Sequence, residues 1–133
     1  MILLDTHVAL WFTTDNTSLG RRSRRAADRA LENGELAVSA VSFWEIALLV
    51  SKRRLRLIDS AADIRKLVLG AGVAESPLTG EVAILAAELE TLHGDPADRF
   101  IAATAITHGA TLLTADERLL RWQHPLRRQN AES

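Results

Sequence analysis

Four acidic residues stand where an α/β chain could use them for chemistry. Asp5 directly follows the apolar run Ile2-Leu3-Leu4, and Asp116 follows Leu112-Leu113-Thr114-Ala115. In an open α/β sheet, ligands bind beyond the carboxyl ends of the strands, where the strand order reverses. If both runs are parallel neighbours, the two acids share one edge. Taken singly, an Asp after a strand is more often a turn or a helix cap. Glu45 and Asp98 also have structural explanations. Ser42-Phe43-Trp44-Glu45 fits a capping box, and in Asp95-Pro96-Ala97-Asp98 the last acid complements the helix dipole. Their faces weigh against capping alone. Asp98 shares a stripe with Ile101, Ala102 and Ala105, and Glu45 shares one with Leu48 and Leu49. A carboxylate on a buried stripe is costly unless something positive meets it. A hard divalent cation such as Mg²⁺ would meet all four, keep some waters and share the site with a phosphate. Two ions would suit an in-line phosphodiester displacement.

The elements that must position these acids follow from apolar period and punctuation. Strands are expected at Ile2–Leu4, Leu36–Ser39, Val73–Glu75 and Thr111–Thr114. Helices are expected from about Val8 to Thr13 and from a Ser18 cap to Glu32. Further helices span Phe43–Val50 behind Ser42, and run from Asp59/Ser60 to near Gly70. Two more run from Thr79 to a stop at His93-Gly94, and from Asp95-Pro96 to His108-Gly109. A short turn covers Ala115–Trp122. Strand–helix alternation predicts an α/β fold: a central parallel sheet with helices on both faces. No strand is evident after Trp122. One domain over residues 1–125 is expected, with a polar tail over 126–133.

The chain has 133 residues, a length that suits one domain, and 47% hydrophobic residues, enough for an ordinary core. It has no cysteine, which removes disulfides, zinc knuckles and thiolate nucleophiles. No segment approaches the roughly 18 apolar residues of a membrane span. The N-terminus lacks a basic leader, so no signal peptide and a cytosolic location are expected. The net charge of −1 argues at first against a nucleic-acid partner. It conceals segregation: residues 20–29, 52–56 and 118–128 carry +4 each, so the rest carries −13. Basic segments that could hold a phosphate backbone thus coexist with acids that need a cation.

Met1–Trp11, Ser39–Ala47, His93–Ala105 and Leu112–Asp116 resemble, in order, the motifs of PIN-domain nucleases, most closely the VapC-type toxins of prokaryotic toxin–antitoxin pairs. The resemblance implies a three-layer α/β/α domain with a ribonuclease site dependent on Mg²⁺ or Mn²⁺, one or two ions. Family acids map onto Asp5, Glu45, Asp98 and Asp116 as catalytic and metal-holding residues. Thr114 matches the polar residue two before the last acid, and Asp95 matches an additional Asp. Thr6 is an accessory candidate, though support of the first helix start explains it as well. The resemblance further implies a homodimer, a VapB-like antitoxin and endonucleolytic cutting of RNA. It does not say which acid, Asp98 or Glu45, orients the attacking water.

Other enzyme classes fit less well. A haloacid-dehalogenase phosphatase needs a second acid where His7 stands, a receiver domain needs paired acids after its first strand, and no P-loop is present. His7, His93 and His108 read as residues at helix ends. Trp11, Phe12, Phe43 and Trp44 read as core or dimer contacts, and the apolar Phe43–Val50 helix suggests cover by a second subunit or an antitoxin. The rival from another class is a non-catalytic interaction domain whose acids bind an ion or a partner's Arg.

Overall fold

The computed structural model describes residues 1–52 and 60–133. Arg53, Arg54 and Arg56 of the second basic segment, and the Asp59 half of the expected Asp59/Ser60 helix start, lie outside the described residues. The chain begins with β1 (Ile2–Leu4), α1 (Thr6–Thr13), α2 (Arg21–Glu32), β2 (Leu36–Ser39) and α3 (Ala40–Ser51). It continues with α4 (Ala61–Gly70), β3 (Ala74–Ser76), α5 (Gly80–Glu88) and α6 (Pro96–His108). β4 (Thr111–Thr114), α7 (Glu117–Arg121) and β5 (Arg128–Asn130) complete it.

The strands form one parallel sheet in the order β3-β2-β1-β4-β5. The three central strands, β2, β1 and β4, are short and largely apolar on both faces, as a sheet covered on both sides requires. Alternate residues feed two cores. Leu3, Ala37 and Leu112 pack under α5 and α6 with Val82, Ala86 and Ile101. Leu4, Leu36, Val38 and Leu113 pack under α1, α2 and α4 with Val8, Ala27, Ile64 and Val68. The result is three layers. The strand order reverses between β1 and β4, so the carboxyl ends of those two strands form the crevice in which such a fold binds ligands.

Several boundaries differ from expectation. Ser39, not Ser42, caps α3, its hydroxyl accepting the Val41 amide (3.2 Å). Ser42 then lies inside the helix and the capping box with Glu45 does not form. α2 starts at Arg21 behind Gly20, with no side-chain cap from Ser18. α5 ends at Glu88, five residues before His93, because Arg99 gathers the carbonyls that follow. Gly109 closes α6 in the left-handed conformation (φ 60°).

The strand not seen in the sequence is β5, which pairs with β4 in the middle of the segment expected to be a polar tail. Its residues Arg128-Gln129-Asn130 carry no apolar signal. Backbone pairing and two flanking anchors, Leu126 and Ala131, hold it, both buried. The Ala131 amide donates to the Thr114 carbonyl, and the Gly20 amide donates to the Ala131 carbonyl (both 2.8 Å). At Gly20 a Cβ would lie 2.1 Å from the Ser133 carbonyl carbon. Gly20→Ala is therefore expected to destabilise the fold by roughly 1–3 kcal/mol. It should also release the last residues. Thermal melting and limited proteolysis near residue 126 would read both, and an unchanged melting point would refute the close approach.

Candidate active site

Asp5 ends β1 and caps α1. Its Oδ1 accepts the Thr6 amide (2.8 Å) and its Oδ2 accepts the Thr114 hydroxyl (2.5 Å). The Asp5 amide donates to the Leu113 carbonyl (3.0 Å), which carries the strand pairing to the acid itself. The Thr114 hydroxyl in turn accepts the Asp116 amide (3.0 Å), so one hydroxyl joins two acids from neighbouring strands. Asp116 caps α7 through the amides of Arg118 and Leu119 (2.8 and 3.3 Å). Asp95 caps α6 by accepting the Asp98 amide (3.1 Å), which sets Asp98 on the first turn, buried. The helix-cap readings are thus correct for Asp5, Asp95 and Asp116, and they are also what aims these acids at one place.

Glu45 reaches the same place from α3. Asp5, Glu45, Asp95, Asp98 and Asp116 line a single cleft of about 330 Å³, with Trp11 and Arg118 on its walls. Thr6 sits beneath it, its hydroxyl donating to Ser42 Oγ (2.9 Å). The structure therefore brings together all four acids singled out in the sequence, with Asp95 beside them and Thr6 and Thr114 as supports.

The charges do not rest easily. Burial pushes the Asp98 carboxyl up to about 8, with repulsion from Asp5, Asp116, Asp95 and Glu45 adding to it. Burial likewise raises Asp5, against the opposing pull of the Thr114 hydroxyl. It raises Glu45 too, with the Thr6 hydroxyl opposing and Asp5 and Asp95 reinforcing. Burial works against the Asp116 charge as well. There it is outweighed by hydrogen bonds from Arg118 and from the Arg118 and Leu119 amides, which hold the carboxyl below its ordinary range. Arg118 reaches Asp98 Oδ2 at 3.5 Å and Asp116 Oδ2 at 3.4 Å, from a side chain 57% exposed. Among the described residues it is the one Lys or Arg within 4.0 Å of these acids. Carboxylates that line one cleft, with one exposed guanidinium among them, are the ligand type a hard divalent cation takes.

Sequence reasoning missed three residues here. His93 closes no helix; it lies in the loop before α6, its Nε2 buried 3.2 Å from Asp98 Oδ2. Its Nδ1 accepts the Asp95 amide (3.3 Å), while the buried Nε2 makes no hydrogen bond among the described residues. His93, Asp98 and Asp116 each offer a donor atom within 4.8 Å of one another. The spacing His93-Gly94-Asp95 was the available signal, since it folds the ring back over the next cap. Arg118 could have been found two residues after Asp116, in the first turn of the helix that Asp116 caps. Arg99 follows Asp98 directly and faces away from the cleft, towards the loop.

The PIN domain family model matches residues 2–124, nearly the whole fold and all four acids. The chain belongs to the PIN-domain family. Within it, the chain is 40% identical over 127 residues to Ribonuclease VapC22 of Mycobacterium tuberculosis, covering 93% of each chain. Two solved structures share the PIN fold. One is VapBC2 from Rickettsia felis bound to a promoter DNA fragment (TM-score 0.73, 20% identity, 98% of each chain). The other is a toxin–antitoxin complex from Klebsiella pneumoniae (TM-score 0.56, 20% identity, 87% of each chain). The PIN-domain match thus takes in β1 to β4 and ends before β5 (Arg128–Asn130). Among the described residues no helix is long and apolar enough to cross a membrane.

Proposed function

We propose that this chain is a divalent-metal-dependent endoribonuclease acting as the toxin of a toxin–antitoxin pair. The observation that carries the reading is the convergence of Asp5, Glu45, Asp98 and Asp116 on one cleft at the strand-order reversal. The 40% identical relative is a ribonuclease by name, which supports RNA as the substrate. These four acids would hold one or two Mg²⁺ ions, with Mn²⁺ able to substitute. The ion supplies Lewis-acid chemistry, neutralising phosphate charge and making water acidic enough to attack at neutral pH.

The chain's own residues do the placing. Thr114 locks Asp5 and Asp116 in register, and Asp95 fixes the turn that presents Asp98. Water adds to phosphorus as the bond to the leaving 3′-oxygen breaks, giving a 5′-phosphate and a 3′-hydroxyl. A VapB-like antitoxin and a homodimer are the proposed partners, and the cytoplasm the place of action. Exposed apolar side chains, Trp44 on α3 (50%) and Ile84 on α5 (62%), give such partners something to cover.

The test is purified chain, freed of antitoxin, with Mn²⁺ or Mg²⁺ and total RNA. Discrete fragments ending in 5′-phosphate and 3′-hydroxyl are expected, and chelation should stop their formation. If no RNA is cut with either ion, the acids serve a binding role instead. Metal binding is also expected to stabilise the fold, by about 2.7 kcal/mol when the ion stands at a hundred times its Kd. Chelator should then lower the melting point of metal-loaded protein, and equal melting curves would refute a resident ion.

A further inference from the structure

We propose that the outward face of α2 is a track for the phosphodiester backbone of the substrate RNA. This rests on the endoribonuclease reading and adds where the strand lies. Acids that need a cation repel the very phosphates they must cut, so affinity for a long RNA has to come from beside the cleft. The sequence offers three basic segments, and the structure separates them.

In the segment over residues 118–128, most cations already have partners. Arg118 faces Asp98 and Asp116, and Arg121 pairs with Glu117 (3.0 Å). Arg128 donates to the Leu119 and His124 carbonyls (2.7 and 2.8 Å). The segment over residues 52–56 falls mostly outside the described residues. On α2 only Arg24 is engaged, with Asp15 and the Trp11 carbonyl (both 3.3 Å). Arg21, Arg22, Arg25 and Arg29 are exposed, and none meets a carboxylate within 4.0 Å among the described residues.

Their spacing makes a row. Arg21, Arg25 and Arg29 recur every four residues, a rise of about 6 Å each, and Arg22 flanks them. The opposite face carries Ser23, Ala27 and Ala30, all buried against the sheet. Two acids share this helix surface: Asp28 at the margin of the row, and Glu32 at its C-terminal end beyond Arg29. The four arginines line a shallow trough of about 560 Å³ with Gln129 and Ser133 beside them. Guanidinium groups are weakly hydrated forks well matched to phosphate oxygens.

Position ties the row to the site. The Gly20 amide bonds Ala131, the Ala131 amide bonds Thr114, and the Thr114 hydroxyl bonds Asp5. Arg21 thus starts at the same carboxyl edge of the sheet as the acids. β5 lies two strand spacings from β1, about 10 Å across. A strand leaving the cleft past β4 and β5 arrives on α2.

The experiment measures binding of a labelled single-stranded 20-nucleotide RNA by fluorescence anisotropy over a salt series. The protein is the full chain carrying Asp5→Asn to prevent cutting. Adding Arg21→Gln, Arg22→Gln, Arg25→Gln and Arg29→Gln should weaken binding at least tenfold at low salt. It should also flatten the log Kd against log salt slope by about 2–3, given roughly 0.7 per phosphate contact on single strands. The four Arg→Lys changes should restore most of the slope. If the quadruple Gln variant does not fold, Arg25→Gln/Arg29→Gln, remote from the β5 contact, is expected to lower the slope by about half as much.

An unchanged slope in folded protein overturns the track. So does RNA binding that stays intact while binding of poly-L-glutamate is lost, which would assign the face to an acidic protein partner. In the Asp5-containing chain, the same Gln changes should raise KM for long RNA and leave kcat unaltered. Arg-dependent RNA binding by a chain that cuts nothing would refute the nuclease reading and leave the track standing.

Discussion

Asp98→Asn is expected to reduce RNA cleavage by more than about 10²-fold while raising the melting point of the metal-free protein. The first effect follows from removing a carboxylate that would hold the ion and sits where the cleft is most buried. The second follows from linkage. Asp98 has an ordinary value of 3.8 and is pushed up to about 8 in the fold, so between those pH values the folded chain binds a proton that the unfolded chain has lost. Stability contributed by this residue is therefore complete below about pH 4 and declines as pH rises towards 8. At pH 7 the penalty is of order a few kcal/mol, and Asn removes it. Melting curves at pH 5 and pH 8 read the prediction directly: the gain should be larger at pH 8. Asp5→Asn should match it in lost cleavage but gain less stability. Its oxygens accept the Thr6 amide and the Thr114 hydroxyl, and an Asn nitrogen would face one of those donors. Near-normal cleavage by either variant would remove these acids from the chemistry.

Arg99→Lys, for all its chemical modesty, is expected to lower stability by roughly 2–4 kcal/mol. The guanidinium donates to five carbonyls, those of Ala86 (2.8 Å), Ala87 (3.3 Å), Leu89 (2.7 Å), Leu92 (2.8 Å) and His93 (3.2 Å). It ends α5 and binds the following loop to α6 at the same time. An ammonium offers three donors from one point and cannot span that set, so at least two carbonyls lose their partner. The melting point should fall by about 10 °C. Amide exchange over residues 89–95 should accelerate more than in β1 or β4. Cleavage should drop as well, since His93 and Asp95 ride on that loop. An unaltered melting point would mean that the five contacts contribute little.

The two predictions mark what the sequence made legible and what it did not. Asp5 and Asp116 were readable because short apolar strands announce where they end, and a parallel sheet brings their ends together. Asp98 was readable from its stripe, whose Ile101, Ala102 and Ala105 are all buried. Glu45 was readable as a charge on an apolar helix and does line the cleft, but beside it stood a capping box that Ser39 pre-empts by starting α3 earlier. The bonds of Arg99 were beyond reach, because carbonyls of an irregular loop have no pattern in the residue types that carry them. β5 was invisible for a related reason. An edge strand held by backbone pairing needs no apolar alternation, and Arg128-Gln129-Asn130 shows none. His93 was misassigned because the Gly after it resembles a helix stop.

Three of the acids, Asp5, Asp95 and Asp116, also cap the helices that follow them, while Asp98 and Glu45 cap nothing. On the proposed reading, the same atoms serve folding and chemistry at the first group and chemistry alone at the second. This sets an asymmetry in how the protein can fail. At the capping acids, any substitution that cannot cap (Asn can) is expected to take shape and activity away together. At Asp98 and Glu45 substitution is expected to leave a folded chain, its surfaces intact, that no longer cuts RNA. Alleles of that kind, collected from cells that survive expression of the chain, would cluster at these two positions and spare the caps.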